Sequence, residues 1–276
     1  MTQAPQPPAT VAALARAATS LALAMAFLTV CERSARNGAD TRPGGAPADA
    51  ASVEVPDLAL LLNPGDPRWS ERAPDLFRAR FETSKGTFVI EVHHDWAPHG
   101  ADRFYNLVRH GFYDGQRFTR VLEGYIAQWG LHGDPRVTAA WKDVTFPDDP
   151  VVQGNVRGTI GFAMRGPDDR QTQVYINLAD NSRNDAQGFA AFGRVVDGME
   201  VVDSLYPGYG EEAGGGMRAR RQGPVEQGGN EYLAEHFPRL DHILTARIEG
   251  DPTSEREHFE AAVHEAIAIY ERIAAR

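Results

Sequence analysis

Cysteine is nearly absent. Cys31 is the single one among 276 residues, so no disulfide can form within the chain in any compartment. Basic charge is also in short supply: 28 Lys and Arg against 38 Asp and Glu give a formal charge of −10 and a pI near 5.4. Nucleic acid is therefore not expected as a partner, because phosphate binding needs a basic surface. The one dense basic run, Arg218, Arg220 and Arg221, sits among glycines and reads as solvated. No dinucleotide fingerprint or phosphate loop is present, and no Ser-His-Asp arrangement stands out. His93-His94-Asp95 and His132-Gly133-Asp134 lack a second pair at ligand spacing, and neighbours on a strand face opposite ways, so no metal is expected. Asp148-Asp149 and Asp168-Asp169 read as solvated turns rather than paired catalytic carboxylates.

With 42% hydrophobic and 24% charged residues the chain has an ordinary globular composition and can bury a sizeable core. Its N-terminus reads as an export segment, residues 1–31. Arg16 precedes an apolar run of fourteen residues, 17–30, shorter than the roughly twenty that span a bilayer. Leu28-Thr29-Val30-Cys31 resembles a bacterial lipoprotein box, in which the cysteine is lipidated; Val30 departs from the small residue usual there. A plain secretory signal and an incidental apolar start are the alternatives. An exported protein, periplasmic or tethered to a membrane through Cys31, is the expectation.

Residues 32–56, rich in Ala, Gly, Pro and Asp, read as a disordered linker. An N-terminal extension, 57–75, follows, where Leu58-Ala59-Leu60-Leu61-Leu62 before Asn63-Pro64-Gly65 predicts a short helix packed on the outside of the domain. Residues 76–83 and 86–93 alternate as two strands of a hairpin around Ser84-Lys85-Gly86. Helices are expected over 101–108, 199–205 and 230–236, a glycine-dense loop over 207–229 and a last strand over 240–248. The final segment, 251–276, places Phe259, Val263, Ala266, Ile267, Tyr270 and Ile273 at helical spacing behind a capping box at Ser254 and Glu257.

Most of the functional signal lies in Phe118-Thr119-Arg120-Val121-Leu122-Glu123-Gly124-Tyr125-Ile126-Ala127-Gln128. Alternation along one extended segment would place Arg120 and Gln128, eight residues apart, on the same face. Two further strands, around Gly158-Thr159-Ile160-Gly161-Phe162-Ala163-Met164 and Gln173-Val174-Tyr175-Ile176-Asn177-Leu178, add a second glutamine and a second aromatic.

Together with Phe88-Val89-Ile90-Glu91-Val92, the helix beginning Ala101-Asp102-Arg103-Phe104, and Phe189-Ala190-Ala191-Phe192-Gly193-Arg194-Val195, these segments resemble the cyclophilin family of peptidyl-prolyl cis-trans isomerases over residues 76–249. The resemblance implies a mainly β domain over 76–250: a closed eight-stranded antiparallel barrel capped by two helices, here with an extra C-terminal helix. It implies an isomerase acting on proline-containing segments of unfolded or exported proteins, needing no cofactor and expected as a monomer. By that resemblance Arg120 is the catalytic residue. Tyr125, Ile126 and Tyr175 form the apolar floor, Gln128 and Gln173 orient the arginine and the peptide, Ala163 and Met164 line the peptide backbone, and Phe189 stands at the rim.

Two departures concern the rim. Where many relatives carry a Trp-Leu-Asp run and then a histidine, this chain has Arg183-Asn184-Asp185 and later Phe189. Turnover is expected to survive while affinity for the cyclic peptide cyclosporin falls. The alternative is a catalytically weak peptide-binding or scaffold module on the same fold. Tyr125 and Tyr175, standing where phenylalanine is commoner, each bring a hydroxyl that needs water or a polar partner.

Overall fold

The computed structural model describes residues 56–214 and 222–251. The export segment with Cys31, the linker over 32–55, the run Arg218, Arg220 and Arg221, and the C-terminal segment from 252 onward lie outside the described residues. Eight strands form one antiparallel sheet: β1 (Leu76–Thr83), β2 (Gly86–His93), β3 (Arg120–Leu122), β4 (Ile126–Trp129), β5 (Thr159–Phe162), β6 (Val174–Asn177), β7 (Ala191–Asp197) and β8 (Ile243–Ile248). Their order is β3-β4-β6-β5-β7-β2-β1-β8.

The alternation of β1 turns Phe77, Ala79, Phe81 and Thr83 inward, and β2 answers with Phe88, Ile90 and Val92. Phe81 stacks on Phe88 at 5.0 Å. A register of Leu76 opposite His93 through Thr83 opposite Gly86 fixes the hairpin. Within this curl, Trp129 packs edge-on against Phe118 at 5.4 Å, and Phe104 lies tilted against Phe192 at 4.9 Å.

The sheet curls but does not close, which corrects the expectation of a closed barrel. No ladder joins β3 to β8; a single bridge, Arg117 to His242, spans the seam, where Phe118 N donates to Asp241 O at 3.0 Å and Ile243 N to Gln116 O at 2.8 Å. β3 pairs along its length with β4 alone, and β8 with β1 alone.

Five helices accompany the sheet among the described residues: α1 (Leu58–Leu61), α2 (Pro98–Arg109), α3 (Pro135–Trp141), α4 (Met199–Asp203) and α5 (Gln222–His236). Pro98 suits the first turn of α2, whose open N–H groups at His99 and Gly100 donate to the Asp149 carboxylate at 3.0 and 2.8 Å. Asp149 is thus a buried cap rather than a solvated turn residue. Asp148 and Asp168 are exposed, as expected of turn residues; Asp148 also pairs with the buried Arg170, and its carboxylate accepts from Asp168 N at 2.9 Å. The inward face of α2, Ala101, Phe104, Leu107 and Val108, is fully buried.

In the 57–75 extension the short helix α1 leaves Leu58 and Leu62 exposed and turns its other face to the domain. Leu60, Leu61 and Trp69 join the main hydrophobic cluster, and Trp141 Nε1 donates to Leu61 O at 2.8 Å. A second, smaller cluster of Leu131, Ala213, Val225, Leu233 and Leu240, flanked by Tyr209, Tyr232 and Phe237, gathers the segment between α4 and β8. There α5 is two helical stretches separated by the non-helical Gly229, where φ is 53° and ψ −142°: the second is the helix expected over 230–236, and the first, from Gln222, falls where a loop was expected.

Candidate active site

The 120–128 stretch is not one extended segment. Gly124, at φ 66°, turns it into a tight hairpin, and β3 and β4 pair so that Arg120 stands directly opposite Gln128. Nine residues in one strand would have put these side chains about 26 Å apart; the hairpin brings Arg120 Nη1 to 3.1 Å from Gln128 Oε1, to which it donates. Gln128 then presents its amide nitrogen, and Nε2 donates to Gln173 Oε1 at 3.0 Å. The row of polar groups continues the sheet order, because β4 pairs with β6, placing Gln128 opposite Tyr175.

Beside this row lies a cavity of roughly 740 Å³, lined by every site residue that the described part of the chain was expected to supply: Arg120, Tyr125, Ile126, Gln128, Ala163, Met164, Gln173, Tyr175 and Phe189. Ala163 N donates to Gln173 O at 2.9 Å, carrying the β5–β6 pairing one step further toward the cavity. Gly130, at φ 125°, lets the strands converge here: a Cβ at that position would come within 2.3 Å of Gln173 Cα. Phe189 meets Tyr175 edge-on at 5.9 Å.

Tyr175 crosses over Gly161, where a Cβ would sit 2.9 Å from its hydroxyl, and donates to Asn155 Oδ1 at 2.7 Å. The added hydroxyl therefore has its polar partner. Burial, reinforced by Tyr125 and opposed by Arg170, pushes Tyr175 well above the ordinary tyrosine value, so it stays a donor. Asn155 was not singled out from the sequence, yet it organises the rim: its Nδ2 donates to Asp185 Oδ1 and to Phe189 O, both at 2.7 Å. Those bonds fix the segment that departs from the family pattern. Arg183 within it lies over the Tyr125 ring at 4.9 Å, so a guanidinium occupies the rim. It is a donor of its own kind, stacked on an aromatic face.

Two more ionic contacts border the cavity. Arg165 forms a bidentate pair with Asp169, at 2.7 Å through both Nε and Nη2, and Lys142 after α3 meets Glu226 of α5 at 3.2 Å. Sequence reasoning missed Glu211 and Gln222. Glu211 Oε1 accepts from Arg120 Nη2, and Gln222 Nε2 lies 3.4 Å from Gln173 Oε1. Arg120 Nε is buried without a partner. His93 stacks on Trp96 at 4.1 Å and His94 contacts Asp102 at 3.1 Å, both away from the cavity lining.

Such a site holds a cation over an apolar floor, with amides to grip a peptide. The family model described as cyclophilin type peptidyl-prolyl cis-trans isomerase/CLD matches residues 78–220. The chain is 35% identical over 130 residues to a peptidyl-prolyl cis-trans isomerase of Acinetobacter baylyi, covering 45% of this chain and 69% of that one. Against peptidyl-prolyl cis-trans isomerase A of Dickeya dadantii it is 36% identical over 129 residues, 45% and 67% of the two chains. Against isomerase B of Escherichia coli the identity is 33% over 133 residues, 45% and 81%. This chain belongs to the cyclophilin family. Its activity is peptidyl-prolyl cis-trans isomerisation.

Proposed function

We propose that isomerisation takes place in the cavity beside Arg120, on X-Pro bonds of extended segments in unfolded exported proteins. An X-Pro bond is held planar by amide resonance, with a barrier of about 18–20 kcal/mol, and crosses unaided in tens to hundreds of seconds. In the twisted transition state the proline nitrogen becomes pyramidal and regains a lone pair. A guanidinium donating toward that nitrogen stabilises the twisted form more than either planar one, and this differential binding is what accelerates the reaction. No proton needs to leave or arrive.

The observation that carries this reading is Arg120, fixed by Gln128 beside the apolar floor of Tyr125, Ile126 and Tyr175. The proline ring packs on that floor with Phe189 behind it. Gln128 and Gln173 hold the substrate backbone, which runs along Ala163 and Met164 while the preceding carbonyl swings. Residues 1–31 act as the export segment, with Cys31 as lipid-bearing residue and 32–56 as tether; the sequence pattern alone supports that part.

The test is the cis-to-trans rate of short X-Pro peptides with the full chain, beside Arg120→Ala. Loss of one preorganised donor to a developing charge should cost about a hundredfold or more in kcat/KM. Undiminished activity in Arg120→Ala would sink the assignment.

A further inference from the structure

The segment between α4 and β8 sends one carboxylate into the arginine cluster. Gly210 N donates to Pro207 O at 2.9 Å and Glu212 N to Tyr209 O at 2.8 Å, so the chain turns twice in succession. Tyr209 is anchored edge-on against Phe237 at 5.1 Å, and Ala213 is fully buried in the second cluster. Glu211, held between these anchors, points back across the cavity to Arg120. Its side chain is 28% exposed against 16% for the arginine, so the pair is half-open to whatever enters.

Of the five N–H donors on a guanidinium, one goes to Gln128 and one to Glu211, leaving donors for a substrate. Around them, Arg165 with Asp169 and Lys142 with Glu226 are matched pairs, and Arg183 stacks on Tyr125. Glu211 is thus the carboxylate that balances the cations nearest the reacting bond. Without it, Arg120 and Arg183 would leave that part of the cavity positive.

Resting on Arg120 as the catalytic group, we propose that Glu211 is a positioning and specificity residue: it holds the guanidinium and selects peptides by charge, favouring a cationic residue immediately before proline over an anionic one. That residue is joined to the reacting nitrogen through a single carbonyl, so its charged tip comes within the ~8 Å screening length of Glu211. A lysine there gains a carboxylate partner. A glutamate meets like charge and competes with Glu211 for Arg120.

The experiment measures kcat/KM for peptides alike except for Lys, Ala or Glu before proline, with the full chain, Glu211→Gln, Glu211→Asp and Arg120→Ala. The Lys:Glu ratio cancels any difference in folded fraction. It should exceed one in the natural protein, fall about fivefold in Glu211→Gln, be largely retained in Glu211→Asp, and shrink at ~0.5 M salt. A ratio equal in the natural protein and Glu211→Gln, or lost alike in Asp and Gln, overturns the proposal. Arg120→Ala separates the two levels: its loss of activity on all three peptides upholds the arginine reading whatever the ratio does, and its retention of activity defeats that reading instead.

Discussion

The two sides of the cavity are built from different materials. On one side β4, β5 and β6 are buried at every position and belong to a sheet whose interior is packed with Phe81, Phe88, Phe104, Trp129 and Phe192. On the other, residues 206–214 and 222–240 rest on a small cluster around Leu233 and Val225, contribute no strand, and make polar contacts to the sheet side at Glu211 and Gln222 and to Lys142 after α3 at Glu226. The sheet side places Arg120 and Gln128 by backbone pairing, which tolerates little displacement. The cover side places Glu211 by a few side chains, so it can be altered without dismantling the floor. On the proposed reading, chemistry belongs to the first and selection to the second.

Truncation in each core breaks or sharpens this contrast most strongly. Phe104→Ala, in the main core, should cost about 4 kcal/mol of global stability, read from the midpoint of denaturant unfolding. Leu233→Ala, in the small cluster, should cost about 2 kcal/mol and show first as faster amide exchange confined to 206–214 and 222–240, with β1, β2 and β4 still protected. Uniform loss of protection across the sheet in Leu233→Ala would mean that the two sides form one cooperative unit.

A smaller effect follows from two histidines outside the sheet. Burial, ahead of every other cause, holds His132 and His110 below the ordinary value of 6.5; His132 packs on Phe112 and His110 on Trp69. The unfolded chain then takes up protons before the folded one. Their contribution to stability is present above pH 6.5 and falls as acid carries the solution from that value down through the depressed folded values, levelling off beneath them. Melting temperatures at pH 7.5 and 5.5 should therefore differ by a few degrees, lower in acid. Substituting His132 with Asn should flatten part of that slope.

The sheet side was the legible one. Alternation, clear in β1, and the turn signal at Ser84-Lys85-Gly86 gave β1 and β2 their observed bounds, 76–83 and 86–93, although β2 is buried at five consecutive positions. The site residues fell into one cavity because their motifs sit on adjacent strands. The 120–128 stretch shows the limit of periodicity: alternation predicted a shared face, whereas Gly124 makes a hairpin and the contact arises from cross-strand pairing. Asp149 read as a turn residue because the helix it caps begins some fifty positions earlier. Glu211 left no local trace, since its partner is 91 residues away. The unclosed seam was equally hidden: it turns on the pairing of segments more than a hundred residues apart, which local pattern does not report.

The most direct test of catalysis without proton transfer is the pH dependence of kcat/KM on a neutral Ala-Pro peptide between about pH 7 and 9, above the histidine window. A guanidinium stays charged throughout that range, so stabilisation of a twisted amide by Arg120 predicts a flat profile for the full chain. A tenfold change per pH unit over any part of the range would require a titrating acid or base and would contradict it.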